Sequence, residues 1–171
     1  NVHSQIEVLV KDSIEKNNGV LHSPLTTSKQ VLDFINWAGD NNVRFLASEK
    51  QLYSEKMWTG GTCDLMFEMN GKRYVGDIKT TGAIWDRTPF MQCAAYELMA
   101  VEMGEPMFDG RCIVRLGKDG SFEVVFSEHP ADKDGWFAAL NLFKALENPV
   151  TEKQKYIKKA KYKKKNLSIT S

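Results

Sequence analysis

Asp64, Asp77 and Lys79 have the residue types and spacing that suit chemistry on a phosphate group. Two carboxylates that lie side by side resist joint ionisation unless a cation sits between them. A hard divalent ion with oxygen ligands, Mg²⁺ or Mn²⁺, fits such a pair best. That ion can activate water, and a nearby lysine can hold the water or stabilise an anionic transition state. The three residues therefore predict a metal centre with one or two ions, provided that the fold brings them together.

Two predicted strands carry these residues. The segments 62–69 and 73–79 are rich in β-branched and aromatic residues, and Asn70-Gly71 between them favours a type I′ hairpin turn. Side chains alternate along a strand, so the second aspartate and the lysine share one face while Ile78 points into the core. A suitable hairpin register would place the first aspartate beside the second.

A short Asp-x-Lys pattern also fits a plain surface hairpin, because short motifs match by chance. The pattern in this chain is longer. A Gly-Thr-Cys-Asp segment precedes the Asn-Gly turn, and a helix that begins near Pro89 carries Gln92 and Tyr96 one turn apart. By itself, that helix could simply be amphipathic with a polar edge. Taken together, the motifs favour a functional site over a plain surface hairpin.

These motifs resemble those of the RecB-like branch of the PD-(D/E)XK nuclease superfamily, close to CRISPR-associated and phage exonucleases. In that branch a GxxD aspartate, a D-x-K pair and a Q-x-x-x-Y helix recur in this order. The matching segments here are 61–64, 77–79 and 92–96. The branch also carries a histidine in a G-x-x-x-H-x-x-x-E context, which His3 and Glu7 match; the glycine would precede Asn1. The resemblance covers roughly residues 1–128.

The resemblance implies a restriction-endonuclease-like core and a metal-dependent DNA exonuclease that acts on linear ends. It implies that Asp64, Asp77, the carbonyl of Ile78 and the imidazole of His3 bind Mg²⁺ or Mn²⁺. It also implies that Lys79 positions or deprotonates the attacking water, and that hydrolysis leaves 5′-phosphate products. From composition alone, a histidine near a terminus is usually a solvated side chain, and the match to the family motif reverses that interpretation.

Five further residues are candidates for supporting roles. Glu7 lies four residues after the histidine and shares its helix face. Gln92 and Tyr96 would brace the site or contact DNA. Glu49 either plays a minor part behind the metal ligands or is a surface charge. Arg87 either binds a phosphate or a DNA end, or is a solvated loop arginine.

The charge is distributed unevenly along the chain. Residues 1–150 hold 15 Lys and Arg against 21 Asp and Glu, whereas 151–165 hold eight lysines against one glutamate. A lysine cluster binds phosphates without reading sequence, which suits DNA as partner, although a frayed, solvated terminus explains it equally. The sequence thus predicts a nuclease domain over 1–148 and a basic tail over 149–171. The tail lysines predicted to contact DNA are Lys158, Lys159 and Lys163.

Composition restricts the class of protein. The 171 residues predict one domain with a substantial core, and four tryptophans argue against disorder. No apolar run is long enough to span a membrane and no secretory leader is visible, so we expect no membrane partner and a cytoplasmic location. Three scattered cysteines predict buried thiols in a reducing compartment. They cannot supply the four-cysteine iron–sulfur cluster of some relatives, so none is expected.

The pattern of elements predicts an α/β fold. A central mixed sheet, built on a three-strand antiparallel meander plus further strands, is expected between flanking helices. The predicted helices are 2–16, 28–40, 89–103 and 132–146, and the predicted strands are 43–53, 62–69, 73–79, 111–116 and 121–127. Two apolar helix stripes are predicted to pack in the core: Val31, Phe34, Ile35 and Ala38, and then Trp136, Phe137, Leu140 and Phe143.

Several functions fit these observations. The favoured one is an exonuclease of phage or bacterial recombination, repair or replication. A structure-specific endonuclease would use the same centre, and a catalytically silent nucleic-acid-binding module would keep the fold alone. A hydrolase that uses two carboxylates as acid and base, such as a glycosidase, is disfavoured by the adjoining lysine and the basic tail. Cleavage polarity, strand preference and oligomeric state do not follow from the sequence.

Overall fold

The computed structural model describes residues 1–22 and 28–148, which form four helices and five strands. The helices are α1 (Val2–Lys16), α2 (Lys29–Asp40), α3 (Thr88–Glu102) and α4 (Ala131–Glu147), and the strands are β1 (Arg44–Ser54), β2 (Thr59–Met69), β3 (Lys72–Lys79), β4 (Gly110–Leu116) and β5 (Phe122–Ser127). Each element lies close to its predicted position. No helix among the described residues is both long and apolar enough to cross a membrane.

The five strands form one mixed sheet in the order β1-β2-β3-β4-β5. The first three strands are an antiparallel meander. Helix α3 then connects β3 to the parallel strand β4, and β5 returns antiparallel to β4. This arrangement confirms the predicted α/β fold with a central mixed sheet flanked by helices.

A two-residue turn sets the register between β2 and β3. Met69 pairs with Lys72, and the turn residues Asn70 and Gly71 have φ values of 53° and 75°. Both positive angles are those of a type I′ turn, whose twist matches that of the flanking strands. The hairpin turn predicted from the Asn-Gly pair is therefore confirmed. The same register pairs Leu65 with Gly76, so Asp64 and Asp77 are the next residues opposite one another.

An apolar core lies on the face of the sheet that α1 and α2 cover. The stripe of α2 (Val31, Phe34, Ile35 and Ala38) is buried there, as predicted. The rings of Phe34 and Phe45 lie 5.6 Å apart between centroids, and those of Phe45 and Phe67 lie 6.0 Å apart. Ile78 belongs to this core, which confirms that it points away from the face that carries its two neighbours.

The other face of the sheet receives α3. This helix is buried around much of its circumference, since Phe90, Cys93, Ala94 and Tyr96 are all among its buried residues. A Cβ atom on Gly61 would lie 2.9 Å from Cε1 of Tyr96. Glycine at this position therefore lets the tyrosine ring lie directly against β2. The three cysteines are buried free thiols, as expected from their apolar surroundings.

The chain divides into one compact unit over 1–136 and a second that begins at Phe137, within α4. The described part of the second unit is 137–148. Its Leu140 is buried, but Phe137 is 43% exposed and Phe143 is 62% exposed. The prediction that both phenylalanines pack in a core is therefore wrong, because helical spacing aligns side chains without supplying a surface to cover them. The predicted domain boundary at 148 stays a prediction, and Lys158, Lys159 and Lys163 lie outside the described residues.

Candidate metal centre

The start of α1 places an imidazole beside two carboxylates. The side chain of Asn1 caps the helix, accepting a hydrogen bond from the backbone N–H of His3 at 3.0 Å. The Nε2 atom of His3 lies 3.4 Å from Oδ2 of Asp64 and 3.9 Å from Oε1 of Glu49. The histidine predicted as a ligand therefore contacts one of the predicted aspartates.

One helical turn later, Glu7 joins the same group. Ligand atoms of His3, Glu7 and Glu49 all lie within 4.8 Å of one another. Glu7 also accepts a hydrogen bond from Lys11 on the next turn. The sequence assigned Glu49 a minor part, yet its carboxylate is a full member of the group. Burial, then Asp64 and Glu7, raise the pKa of Glu49 above its usual value.

Glu49 reaches the group from an unusual backbone conformation. Its φ is 50°, in the left-handed region that residues other than glycine seldom adopt. The ladder between β1 and β2 passes from the pair Ser48–Leu65 to the pair Lys50–Cys63. Glu49 and Asp64 are therefore opposite one another between two regularly paired positions. Backbone strain of this kind concentrates at functional sites.

Asp64 links this group to β3. Its Oδ2 atom accepts a hydrogen bond of 2.7 Å from the backbone N–H of Ile78. The N–H and C=O of a strand residue point to the same side, so the carbonyl of Ile78 also faces the Asp64 side of β3. The resemblance implied that this carbonyl is a metal ligand. The contact observed is made by the N–H, which orients the carboxylate instead.

Asp77 is the most buried acidic residue of the predicted site, at 4% exposure. Burial raises its pKa; Lys79 opposes this effect and Asp64 adds to it. Its Oδ2 atom lies 2.9 Å from Nζ of Lys79, but no partner among the described residues has hydrogen-bond geometry toward that oxygen. A buried oxygen that accepts no well-directed hydrogen bond favours a further cation or hydrogen-bond donor beside it.

A chain of side chains holds Lys79 in place. Its Nζ donates to Oε1 of Gln92 at 3.0 Å, and Nε2 of Gln92 donates to the hydroxyl of Tyr96 at 2.7 Å. Burial, together with the nearby Asp77, raises the pKa of Tyr96 to about 12, so the phenol stays neutral at pH 7. The predicted bracing role of this glutamine–tyrosine pair is compatible with these contacts.

The predicted ligands do not all converge on one point. His3, Glu7 and Glu49 form one cluster, which Asp64 joins through the histidine, whereas Asp77 pairs with Lys79. Four carboxylates and one imidazole nevertheless lie along the adjoining parts of α1, β1, β2 and β3. Carboxylate oxygens with imidazole suit Mg²⁺ or Mn²⁺. Burial raises the pKa values of Glu49 and Asp77, so positive charge in addition to that of Lys79 would stabilise this set, and the donor set fits such an ion.

A second charged network was not singled out from the sequence. The Arg111 side chain is 4% exposed; its Nη1 lies 2.6 Å from Oε2 of Glu97 and its Nε 2.9 Å from Oδ2 of Asp132. Arg87 joins this network, its Nη1 lying 3.0 Å from Oδ1 of Asp132. The Arg87 side chain is nevertheless 46% exposed, so both interpretations of it, as a phosphate ligand and as a solvated loop arginine, stay predictions. The sequence signal that could have indicated this network is Arg111, a charged residue within the apolar run of β4.

No family model matches this sequence, and no curated protein matches it. A crystal structure of a protein named SSO0001 is similar to this chain at 16% sequence identity. The match covers 85% of this chain and 69% of that chain, with a TM-score of 0.40. Similarity of that degree carries no information about function, so the site itself has to support any proposal.

Binding of Mn²⁺ is expected to raise the melting temperature of the protein. At a concentration of 100 times Kd, binding to the folded state alone adds about 2.7 kcal/mol. For a chain of this size that corresponds to a rise of roughly 5–10 °C. Differential scanning fluorimetry with and without Mn²⁺ would measure it. The shift should disappear in Asp64→Asn and persist in Asp12→Asn, a control on the exposed side of α1; an equal shift in both variants would contradict the site.

Replacing Glu49 by glycine is expected to stabilise the protein relative to replacement by alanine. Both variants remove the carboxylate, but only glycine adopts φ near 50° without the cost of about 1–2 kcal/mol that a Cβ atom brings. Because glycine also gains freedom in the unfolded chain, we expect a net difference of about 0.5–1 kcal/mol. Urea denaturation would measure the free energy of unfolding. An alanine variant as stable as the glycine variant would mean that the backbone at this position is not strained.

Proposed function

We propose that this chain is a divalent-metal-dependent deoxyribonuclease of the RecB-like PD-(D/E)XK type, which acts as an exonuclease on linear DNA. The observation that carries the proposal is the continuous chain of contacts from Asp77 through Lys79 and Gln92 to Tyr96, beside the carboxylates and imidazole near Asp64. This set contains acceptors for a metal and a lysine held next to them. A plain surface hairpin would need none of these contacts.

The topology supports the same proposal. The RecB-like resemblance implies a helix, a meander of three strands, a helix that carries the Q-x-x-x-Y motif and a further strand, in this order along the chain. The chain has α3 between the parallel strands β3 and β4, with Gln92 in contact with Lys79 at the end of β3 and Tyr96 hydrogen-bonded to Gln92. Fold alone does not imply function, so the contacts at the site remain the stronger support.

The residues have distinct roles in the proposed hydrolysis. A bound Mg²⁺ or Mn²⁺ would supply Lewis acidity and lower the pKa of a coordinated water. Asp64 and His3, with Glu7 and Glu49 close by, would hold the ion, and Asp77 would complete its oxygen ligands. Glu49 thus takes a larger role in the proposal than the sequence assigned to it.

Lys79 is the residue proposed to act on the water and on the phosphate. Its ammonium group lies between Asp77 and Gln92, which orient it without enclosing it, since the side chain is 28% exposed. From this position it can hold the attacking water by hydrogen bonding and oppose the negative charge that develops on the phosphate. The neutral phenol of Tyr96 keeps Gln92 turned toward the lysine.

The test is digestion of end-labelled linear DNA and covalently closed circular DNA, each with Mg²⁺, Mn²⁺ or EDTA. Loss of the linear substrate alone, only in the presence of metal, is the expected result, and the labelled end that is lost first gives the polarity. Cleavage of circles as well would instead identify an endonuclease with the same centre.

Two other outcomes would overturn the proposal. Binding of DNA without cleavage of either substrate under any metal condition would identify a nucleic-acid-binding module. Hydrolytic activity that persists in EDTA would point to acid and base catalysis by the carboxylate pair, as in a glycosidase. Lys79→Ala is measured beside the wild type in each reaction, because this variant removes the proposed water-binding group and leaves all carboxylates in place.

A further inference from the structure

Trp85 is a large aromatic residue that the described fold does not use for packing. It lies in the segment between β3 and α3, and its side chain is 90% exposed. It takes part in none of the aromatic ring pairs among the described residues. An indole in water gains none of the free energy that burial of its ring would bring. Its flat face is therefore available to a ligand.

Trp85 lines two cavities. The first, of about 300 Å³, is also lined by Lys79 and Gln92 of the proposed centre. The second, of about 580 Å³, continues from Trp85 to Arg87 and His129. Because Trp85 lines both cavities, a ligand that occupies both would contact the indole and Lys79.

The second cavity offers hydrogen-bond donors to an anion. Arg87 uses Nη1 for Asp132, but a guanidinium has five N–H donors and this side chain is 46% exposed. The Nδ1 atom of His129 accepts a hydrogen bond of 3.0 Å from the backbone N–H of Ala131. The neutral ring therefore carries its proton on Nε2, which makes Nε2 a donor.

The acidic groups around the cavities already have partners. Glu128 forms an ion pair with Lys72 at 2.8 Å. Asp86 accepts a hydrogen bond from the backbone N–H of Thr88, which lowers the pKa of Asp86. The charge of Asp86 next to the indole disfavours a phosphate there. A base over Trp85, with phosphates further along on either side, is the arrangement that these charges favour.

We propose that Trp85 is a stacking platform for an unpaired base of single-stranded DNA, with one flanking phosphate toward Arg87 and His129 and the other toward Lys79. This proposal rests on the proposed nuclease function, whose substrate it narrows to a single-stranded end or overhang. Stacking on an aromatic side chain needs a base with an uncovered face. Bases inside a duplex are covered by their neighbours, so an intact duplex would not use this platform.

The test is a binding measurement that does not depend on catalysis. Fluorescence anisotropy of a labelled oligothymidine is measured with the full chain in EDTA at one fixed salt concentration, for the wild type and three variants. Trp85→Ala should weaken binding about 5- to 150-fold, as expected for the loss of one base stack. Trp85→Phe, which keeps a ring, should retain most of the affinity. Trp58→Ala is the matched control, since Trp58 is 86% exposed and lines neither cavity.

A blunt duplex at the same salt concentration provides the second arm, and its affinity should change less than twofold in Trp85→Ala. Equal binding of oligothymidine by the wild type and Trp85→Ala, or no binding by the wild type, would overturn the platform. If the platform is overturned in this way but the chain still cleaves duplex DNA in a metal-dependent reaction, the proposed nuclease function remains supported. Binding through Trp85 by a chain that cleaves nothing would keep the platform and overturn the nuclease.

Discussion

Replacing Asp77 by asparagine is expected to lower the rate of metal-dependent DNA cleavage by at least about 10²-fold, because a metal ion's charge stabilisation in such a reaction amounts to several kcal/mol. The same variant should unfold at no lower temperature than the wild type. Burial raises the pKa of Asp77, so its ionised form at pH 7 destabilises the fold, and a neutral amide of the same shape removes that cost. Initial cleavage rates and melting curves measured in parallel would show both effects.

The control for this experiment is Asp12→Asn. Asp12 lies on α1 and forms an exposed ion pair with Lys16, so its neutralisation should leave the cleavage rate within about twofold and the stability within about 0.5 kcal/mol. Loss of activity together with unfolding in Asp77→Asn would show a structural role for this carboxylate. Retention of full activity would exclude Asp77 from the centre.

Replacing Arg111 by methionine is expected to destabilise the protein by about 3–5 kcal/mol, the usual cost of removing one partner from a buried ion pair. The arginine is 4% exposed and contacts both Glu97 and Asp132. Methionine fills part of the space but leaves two buried carboxylates without that guanidinium. Urea denaturation monitored by tryptophan fluorescence would give the change in the free energy of unfolding.

Two further variants separate this effect from a general loss of charge. Lys72→Met breaks an exposed ion pair with Glu128 and should cost no more than about 1 kcal/mol. Adding Glu97→Gln to Arg111→Met should recover part of the loss, because it neutralises one of the two buried carboxylates that lose the guanidinium. A loss in Arg111→Met no greater than that in Lys72→Met would mean that the network contributes little to stability.

The elements of the fold could be predicted because each depends on residues that are close together in the sequence. Asn70-Gly71 favours one turn type, and that turn alone sets the register of the strands on either side. Alternation along β3 places Asp77 and Lys79 on one face and Ile78 on the other. Likewise, i,i+4 spacing places Gln92 beside Tyr96, and the two side chains are hydrogen-bonded.

The candidate site could be predicted only in part. The residues were identified from motif spacing, but the way in which they group was not. Glu49, whose backbone is in the left-handed region, has its carboxylate in the cluster with His3 and Glu7 of α1. Asp64 is oriented by the backbone N–H of Ile78. Nothing in the local sequence around Glu49 predicts a positive φ in the middle of a strand.

The sequence by itself determined the secondary structure, the hairpin register and the residue types of the proposed centre, since all of these follow from short-range spacing and side-chain preference. Only the tertiary structure decided which charges are buried and which apolar side chains are exposed among residues 1–22 and 28–148. The pairing of Arg111 with Glu97 and Asp132, and the exposure of Phe137 and Phe143, are examples. The physical reason is that burial depends on which distant segments pack together, and local patterns set the direction of a side chain without specifying what it meets.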